Sequence, residues 1–299
     1  MANDMHPVAT AADPHGLSRL AEPGWPPDHR LPPGSCDTHI HVIGPPTRYP
    51  LFAGRSYTPG VHSLDDYRHT LQALGVDRAV LVQPSVYGTD NRALLDALHE
   101  GGTSYRGVVV PAPDIAEEGL LEMHAAGVRG LRLNLVNPAV LTMAQALDLC
   151  ARTRGLGWHL QVQLRLDAAG IADMRRLAAK ATVPLVIDHA GLPSSTQDLS
   201  ALLGLLEETD AWIKLSAPYR FSREAFPHAD ITPIVQALVE TRPQRLLWAS
   251  DWPHTEQPEP RPSAISLVAL LHGWVPDAAI RHRICIANPA ALYGYPQTT

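Results

Sequence analysis

Short apolar runs recur about every 25–30 residues along most of this chain, and a helical pattern follows most of them. Runs that are apolar on both faces, such as 108–110 and 184–188, favour a parallel sheet covered by helices. Eight runs are present, at residues 36–43, 78–83, 106–110, 130–135, 159–164, 184–189, 212–215 and 245–251. Eight strand–helix repeats without a break in composition predict an α/β fold, a single (β/α)8 TIM barrel.

Two small domains and an open sheet are the alternatives to a single barrel. The length of 299 residues fits either two small domains or one large barrel. An open, doubly wound sheet is the second choice of architecture. However, neither a GxGxxG nor a GxxxxGKS fingerprint follows any of the runs. The lack of these nucleotide-binding motifs favours the barrel.

The first 33 residues differ from the rest of the chain. Seven of the 28 prolines lie there, at positions 7, 14, 23, 26, 27, 32 and 33. Proline lacks a backbone N–H donor, and this stretch has no apolar periodicity. We therefore predict a Pro-rich N-terminal arm at residues 1–33 and the barrel at residues 34–299. Such an arm suits a disordered segment or one that wraps a neighbouring subunit, which leaves a homo-oligomer open.

Composition and charge narrow the classes of partner. With 45% hydrophobic and 18% charged residues, the chain can bury a substantial core, which excludes a fibrous or wholly disordered protein. The net charge of -6 comes without a basic stripe, so we do not expect nucleic acid to bind. No stretch approaches the roughly 18 apolar residues of a spanning helix, and the N-terminus lacks a basic head followed by an apolar block. Cys36, Cys150 and Cys285 form no CxxC pair. We expect a cytoplasmic protein with no membrane partner.

Unusual polar residues end three of the runs. In a barrel, the working side chains lie at the carboxyl ends of the strands. The first run ends in His39 and His41, which alternation along a strand places on one face about 6–7 Å apart. The sixth run ends in His189 and the eighth in Asp251. We predict that these four side chains converge in the barrel mouth, where imidazoles can hold a metal or donate to an oxygen.

These histidines could also have a purely structural role. A lone histidine at a strand end is more often a hydrogen-bonded structural residue than a functional one, so the prediction depends on the conjunction of three strand ends. His254 is placed to act as a neighbouring group of Asp251. The other histidines fall mostly in the arm, in loops or on helical faces, and we assign them no role.

The motifs at these strand ends carry a family resemblance. DTHIH at 37–41, DHAG at 188–191 and LLWASDWPH at 246–254 resemble the amidohydrolase superfamily. CDTHIHVIGP, YTPG, VQPSVYGTDNRALLDAL, GVRGLRLN and NPAALYG are similar to its branch of 2-pyrone-4,6-dicarboxylate lactonase, which includes a galactarolactone isomerase. The resemblance runs from about residue 34 to residue 294, nearly the whole chain beyond the arm, and it implies an amidohydrolase-type TIM barrel.

The resemblance also implies roles for single residues. Asp251 would be the general base that draws a proton from water, and His39, His41 and His189 would polarise the lactone carbonyl. Four further residues match positions that contact substrate, namely Tyr57, Ser85, Arg132 and Arg220. Each of these residues has a structural role as its alternative to substrate binding. For the two arginines it is an ion pair in the mouth, and for Tyr57 and Ser85 it is hydrogen bonding within a loop.

This chain departs from the pyrone lactonase at three positions. It has Pro138 and Leu192 where that lactonase has arginines, and Gln163 where it has a tyrosine. Guanidinium groups hold dicarboxylates in bidentate fashion, so their loss implies a substrate with less charge or with differently placed charge. Gln163 and Arg165 resemble the sugar-lactone branch more closely, and both are predicted to bind substrate.

Metal dependence is the remaining question about the site. The fourth run, GLRLNL, has no carboxylatable lysine, and the fifth offers Gln161 and Gln163 rather than histidine at its inward positions. His159 lies at the wrong end of that strand. A single zinc or other divalent metal could still be held by His39, His41, His189 and Asp251. We expect no obligate metal, because the resembling lactonase is metal-independent and an ester needs less Lewis acidity than an amide.

From these observations we predict a hydrolase, specifically a lactonase, that acts on a carboxylated or polyhydroxylated lactone. A lactone isomerase that uses a substrate hydroxyl as the nucleophile is the alternative. A metal-dependent decarboxylase of the same superfamily is a third reading, and a ligand-binding barrel without chemistry is the last.

Overall fold

The computed structural model describes residues 30–72, 74–136, 140–193, 196–257 and 262–296. Its eight strands form one sheet in chain order, and each strand pairs in parallel with the next. The strands are β1 Ser35–Ile40, β2 Val76–Val82, β3 Tyr105–Val109, β4 Val128–Asn134, β5 His159–Gln163, β6 Leu185–Ile187, β7 Trp212–Leu215 and β8 Leu246–Trp248. Every predicted run therefore overlaps one of the strands.

Hydrogen bonds between the first and last strand regions close the sheet. The Thr38 hydroxyl donates to the Trp248 carbonyl at 2.9 Å. Beyond β8, the Asp251 amide donates to the carbonyl of His39, and the His41 amide donates to that of Trp252. The sheet is thus a closed cylinder, which confirms the predicted (β/α)8 barrel and excludes the open doubly wound sheet.

Helices follow the strands and cover the outside of the cylinder. They are α1 Leu64–Gln72, α2 Arg92–Gly101, α3 Glu117–Ala125, α4 Met143–Thr153, α5 Ala168–Lys180, α6 Thr196–Glu208, α7 Thr232–Thr241, α8 Ala264–Trp274, α9 Ala278–His282 and α10 Asn288–Tyr293. The start of α4 has a capping box in which Thr142 and Gln145 satisfy each other's backbone N–H groups. The side chains of Ser63 and Asp66 bond reciprocally before α1 in the same way.

The C-terminal segment closes the amino-terminal end of the barrel. Tyr293 and Tyr295 are buried in an interior cluster with Cys36, Val80 and other strand residues. The Tyr295 hydroxyl donates to the Ala79 carbonyl at 2.8 Å. Since this end is filled, the interior is accessible only from the carboxyl ends of the strands, which is where barrel enzymes place their sites.

The predicted arm lies mostly outside the described residues, because the description begins at residue 30. Leu31, within the predicted arm, is buried in the core, and its amide donates to the Leu74 carbonyl at 2.8 Å. The last residues before β1 are therefore anchored to the barrel. Within the described ranges, no helix is both long and apolar enough to cross a membrane.

Candidate active site

Three strand ends bring the four predicted catalytic residues together. His39 lies in β1 and His41 directly follows it. His189 lies in the short 3-10 turn Asp188–Gly191 after β6, and Asp251 lies beyond β8. All four residues are buried. The carboxyl ends of parallel strands meet at one rim of a barrel, which explains the convergence.

One oxygen of Asp251 faces all three imidazoles. Asp251 Oδ1 lies 3.7 Å from His39 Nε2, 3.8 Å from His41 Nε2 and 3.9 Å from His189 Nε2. The Nε2 atoms of His39 and His41 are 3.3 Å apart. Asp251 Oδ1 has no hydrogen-bond partner among the residues that the structure describes. These atoms surround one small volume at the base of the mouth.

The other oxygen of Asp251 is held by two donors. Oδ2 accepts a hydrogen bond from the Tyr219 hydroxyl at 2.8 Å and another from Arg220 Nε at 3.0 Å. Burial alone would raise the pKa of Asp251, but the ion pair with Arg220 outweighs it and holds the pKa below its usual range. Asp251 is therefore a carboxylate at neutral pH.

His41 presents a neutral ring with its Nε2 lone pair toward this volume, and the surroundings of His39 favour the same arrangement. His41 Nδ1 lies 2.8 Å from the Val82 carbonyl, which only accepts, so Nδ1 carries the proton. His39 Nδ1 lies 3.3 Å from Asp188 Oδ1, an ion-pair distance without hydrogen-bond geometry, and a carboxylate at this distance favours a proton on Nδ1 because it can only accept. Burial lowers the pKa of His41 to about 4 and also lowers the pKa values of His39 and His189. A neutral ring protonated at Nδ1 accepts at Nε2 and cannot donate to a carbonyl from that atom.

The donor set fits a metal ion. Ligand atoms of His39, His41 and Asp251 all lie within 4.8 Å of one another. Two lone pairs and a carboxylate oxygen repel one another unless a proton or cation lies between them. A tetrahedral zinc ion with ligand bonds of about 2.0–2.1 Å separates two ligands by about 3.3 Å, as observed between the two Nε2 atoms. These residues could therefore hold a metal.

Strained backbone is concentrated around the same volume. His189, Ala217, Asp251 and His254 all have left-handed φ values, between 49° and 61°. For residues other than glycine this conformation costs about 1–3 kcal/mol each and persists where the surrounding structure imposes it. Its accumulation here supports a functional site at this rim.

A second group of predicted residues lies above the histidines. Arg132 Nη1 donates to the Gln83 carbonyl at 2.7 Å, and Arg132 Nη2 donates to Gln163 Oε1 at 2.6 Å. Arg132 is buried, and its Nε has no partner among the described residues. Arg132 and Gln163 thus form one hydrogen-bonded pair, as neighbours on β4 and β5.

The remaining predicted substrate contacts occupy different surroundings. Arg220 forms an ion pair with Asp251 at 3.0 Å, and its role as a substrate contact stays a prediction. Tyr57 is half-buried in the loop after β1, and burial raises its pKa, while Ser85 is half-buried just after β2. Arg165 is exposed two residues beyond β5. Leu192 is buried after β6. Pro138 lies outside the described residues.

The barrel matches a known protein family. A family model described as Amidohydrolase matches residues 36–295. The chain belongs to the amidohydrolase family. The match begins at the first strand and ends at the C-terminal segment, so it covers the whole barrel of this amidohydrolase.

Three curated relatives indicate which members of the family this chain resembles. This amidohydrolase is 35% identical to the 4-sulfomuconolactone hydrolase of Rhizobium radiobacter, over 88% of this chain and 91% of that protein. It is 31% identical to the 2-pyrone-4,6-dicarboxylate hydrolase of Comamonas testosteroni, over 91% of this chain and 96% of that protein. It is 29% identical to the D-galactarolactone isomerase of Agrobacterium fabrum (strain C58), over 90% of this chain and 94% of that protein. The resemblance expected from the motifs is confirmed.

Several residues around the site of this amidohydrolase were not singled out from the sequence. Tyr219 was missed because its role depends on the loop after β7. Lys214 lies within the otherwise apolar WIKL of β7 and is fully buried. A charged residue inside a buried strand is rare unless paired, so this signal was available in the sequence.

Proposed function

We propose that this chain is a lactonase that opens the ring of a lactone bearing acidic or hydroxyl groups by adding water to the ring carbonyl. The observation that carries the proposal is the position of Asp251 Oδ1, which is ionised, unpartnered among the described residues and within 3.9 Å of three imidazole nitrogens. Water placed against this oxygen would lie beside the three imidazole rings.

The chemistry of each residue follows from its surroundings. Asp251 Oδ1 accepts a proton from water while the water oxygen bonds to the carbonyl carbon. The ring C–O bond then breaks, and the proton passes to the ring oxygen, which leaves a hydroxy acid. A positioned carboxylate base contributes on the order of 10²–10⁴-fold. Tyr219 and Arg220 keep Oδ2 engaged, so Oδ1 is the oxygen that acts.

The depressed pKa of Asp251 bears on the metal question. A weakly basic carboxylate takes a proton readily only from an acidified water. His39, His41 and Asp251 would hold a divalent ion, with His189 as the fourth ligand. When bound, such an ion acidifies water and polarises the carbonyl. The metal-free chemistry expected from the sequence stays a prediction, and the donor geometry favours the alternative with one ion.

Metal removal separates these two versions. We expect protein purified without chelator to contain about one divalent ion per chain, to lose turnover after dialysis against a chelator, and to regain it with zinc. Full turnover by demonstrably metal-free protein would instead support the chemistry without a metal.

The mouth suggests the class of lactone. Arg132 is held by Gln83 and Gln163 and leaves its buried Nε unpartnered in the described chain. Among the described residues of the mouth, Arg132 is a buried arginine and Arg220 a half-buried one, and Arg220 is committed to Asp251. We infer a substrate with one strongly acidic group beside the ring, with Tyr57, Ser85, Gln163 and Arg165 contacting its remaining polar groups. The sulfonate in the name of the first relative fits this class, whereas the name of the second gives two carboxylates.

The test is turnover of a panel containing sugar-acid lactones, pyrone carboxylates and muconolactones, followed with a pH indicator. We expect acid release from at least one member and its abolition in Asp251→Asn, with Asp210→Asn as the matched control because Asp210 is an exposed carboxylate. Retained activity in folded Asp251→Asn would remove the assignment. If no member is turned over and a hydroxybenzoate releases CO2, the decarboxylase reading replaces it.

A lactone isomerase is the second candidate, favoured by the similarity to the galactarolactone isomerase. Asp251 would then take the proton of a substrate hydroxyl, and the ring would change size. Reaction in ¹⁸O-labelled water distinguishes the two, because hydrolysis places label in the product and isomerisation does not.

A further inference from the structure

A layer of buried polar side chains lies directly beneath the histidines. Lys214 in β7 is fully buried, and its Nζ donates to the Thr38 carbonyl at 2.7 Å and to Gln161 Oε1 at 2.6 Å. The chain has only one other lysine, Lys180, which is exposed. A buried ammonium requires an anionic partner.

That partner is Asp188, which Lys214 reaches both directly and through Gln161. Lys214 Nζ lies 3.7 Å from Asp188 Oδ1. Gln161 Nε2 donates to Asp188 Oδ2 at 2.9 Å. Because an ammonium only donates and a carboxylate only accepts, the Gln161 amide has one orientation that satisfies both neighbours.

Asp188 connects this layer to the site. Its Oδ1 lies 3.3 Å from His39 Nδ1. Because a carboxylate can only accept, this contact favours the proton of His39 on Nδ1 and the lone pair on Nε2, although the two atoms do not have hydrogen-bond geometry.

We propose that Lys214 is a positioning residue of the active site, which acts through Gln161 and Asp188 to orient His39 with its Nε2 lone pair facing Asp251. The inference rests on the proposed function and assigns a role to residues outside the four at the rim. A carboxylate behind a histidine fixes the ring's orientation and tautomer, and removing such a partner usually lowers activity about 10–100-fold.

A purely structural role predicts a different outcome. Buried ion pairs are often no more stabilising than neutral side chains of similar volume, so losing both charges together need not destabilise the barrel. If the Lys214–Asp188 pair is only structural, a variant without either charge should fold and work normally. If the pair orients His39, that variant should fold and work poorly.

The experiment therefore uses the double variant Lys214→Met/Asp188→Asn, with Lys180→Met as the matched lysine control. Removing both charges avoids leaving one buried charge uncompensated, as Lys214→Met alone would do. We expect the double variant to melt within a few degrees of the parent, with kcat about 10–100-fold lower and KM changed less than about threefold.

A second readout does not depend on turnover. The ¹⁵N shifts of the His39 ring, assigned by their loss in His39→Gln, report which nitrogen carries the proton. We expect an Nδ1-protonated ring in the parent and in Lys180→Met, and a mixture of tautomers in the double variant.

Three outcomes would overturn the proposal: kcat within about threefold of the parent, an unchanged His39 tautomer, or an Nε2-protonated His39 in the parent. If the parent opens no lactone, the proposed function fails, but the ring shifts still decide whether Lys214 positions His39.

Discussion

At the scale of single residues, the two oxygens of Asp251 have different surroundings. Oδ2 accepts from Tyr219 and Arg220, while Oδ1 faces only imidazole nitrogens. A carboxylate in water has two equivalent oxygens, so it is the protein that makes them inequivalent. The consequence is one reactive oxygen with a defined direction.

Replacing Tyr219 by phenylalanine tests this inequivalence. The variant keeps the ring but removes the hydroxyl that donates to Oδ2, and a hydrogen bond to a charged group is worth about 1.5–3 kcal/mol. We expect kcat to fall roughly 10-fold or more with little change in KM. Steady-state kinetics check this, with Tyr105→Phe, at the opposite end of the barrel, as the control. Unchanged kcat would show that Arg220 alone holds the carboxylate.

Lys214 should titrate at an unusual pH. Burial lowers its pKa to about 8, against the usual 10.5, although Asp188 opposes the shift. With ¹³C-labelled lysine only two side-chain signals are expected, and Lys180→Met identifies the one from Lys180. We expect the Lys214 signal to titrate near pH 8.

The sign of the linked stability change follows. Between about pH 8 and 10.5 the unfolded chain binds more protons at this lysine than the folded chain, so this group alone makes the unfolding free energy rise with pH. Urea unfolding of the parent and of Lys214→Met/Asp188→Asn at both ends of the window measures the difference. An amine that titrates at its ordinary value would contradict both expectations.

At the scale of elements, an irregularity in β1 determines which side chains enter the site. Strict alternation would put Cys36 and His39 on opposite faces. The pairing of β1 with β2 shifts register between Asp37 and Ile40. Cys36 accordingly packs in the interior cluster, while His39 and His41 both line the mouth. Because of this shift, β1 contributes Cys36 to the apolar cluster at the closed end and His39 to the site at the open end of the barrel.

The C-terminal segment after α10 makes a separate contribution to stability. Tyr295 is buried, its hydroxyl donates to the Ala79 carbonyl, and Arg106 lies over its ring at 4.5 Å from the centroid. We expect Tyr295→Ala to lower the unfolding free energy by about 3–5 kcal/mol and Tyr295→Phe by about 0.5–1.5 kcal/mol.

Denaturant unfolding measures these losses, and turnover at a temperature where both variants are folded supplies the control. The segment lies at the end of the barrel opposite the catalytic histidines, so kcat should stay near that of the parent. A large loss of kcat in folded protein would mean that this segment shapes the site.

At the scale of the whole molecule, the barrel interior has three levels. An apolar cluster with Tyr293 and Tyr295 fills the closed end, the layer of Lys214, Gln161 and Asp188 lies above it, and the histidines line the mouth. Several buried histidines are thereby kept neutral. This arrangement makes stability depend on pH.

Acid should destabilise the fold before the carboxylates titrate. Burial lowers the pKa of His159 to about 3, against about 6.5 when unfolded, and the pKa of His41 to about 4. As pH falls below about 6.5 the unfolded chain binds protons that the folded chain does not. Each such histidine lowers the unfolding free energy by up to about 1.4 kcal/mol per pH unit.

Urea unfolding between pH 7 and pH 4.5 measures this slope. His159→Gln should reduce it, while His99→Gln, at an exposed position, should leave it unchanged. Because His159 lies outside the catalytic cluster, its replacement isolates the linkage from any effect on chemistry. Equal slopes in the parent and His159→Gln would mean that His159 is protonated in the folded protein.

The repeat of apolar runs was enough to predict all eight strands, because a strand that is covered on both faces must be apolar on both. The helical pattern between the runs predicted that the strands are parallel, because a helix connects one strand to the start of the next. The four residues at the mouth were predictable for a related reason: a polar side chain at the end of such a run has only the rim to occupy. The roles of Arg132 and Gln163 as substrate contacts stay predictions, and the hydrogen bond between them was not predicted.

Partnerships between distant residues depend on how the barrel closes. Tyr219 and Arg220 meet Asp251, and Lys214 meets Asp188, across gaps in the chain that no local pattern records. The protonated nitrogen of each histidine depends on such partners, since a neutral imidazole can be protonated on either side. Periodicity and residue type therefore specify the barrel and the members of its rim, whereas the charge and direction of each reactive atom come from contacts that exist only in the folded chain.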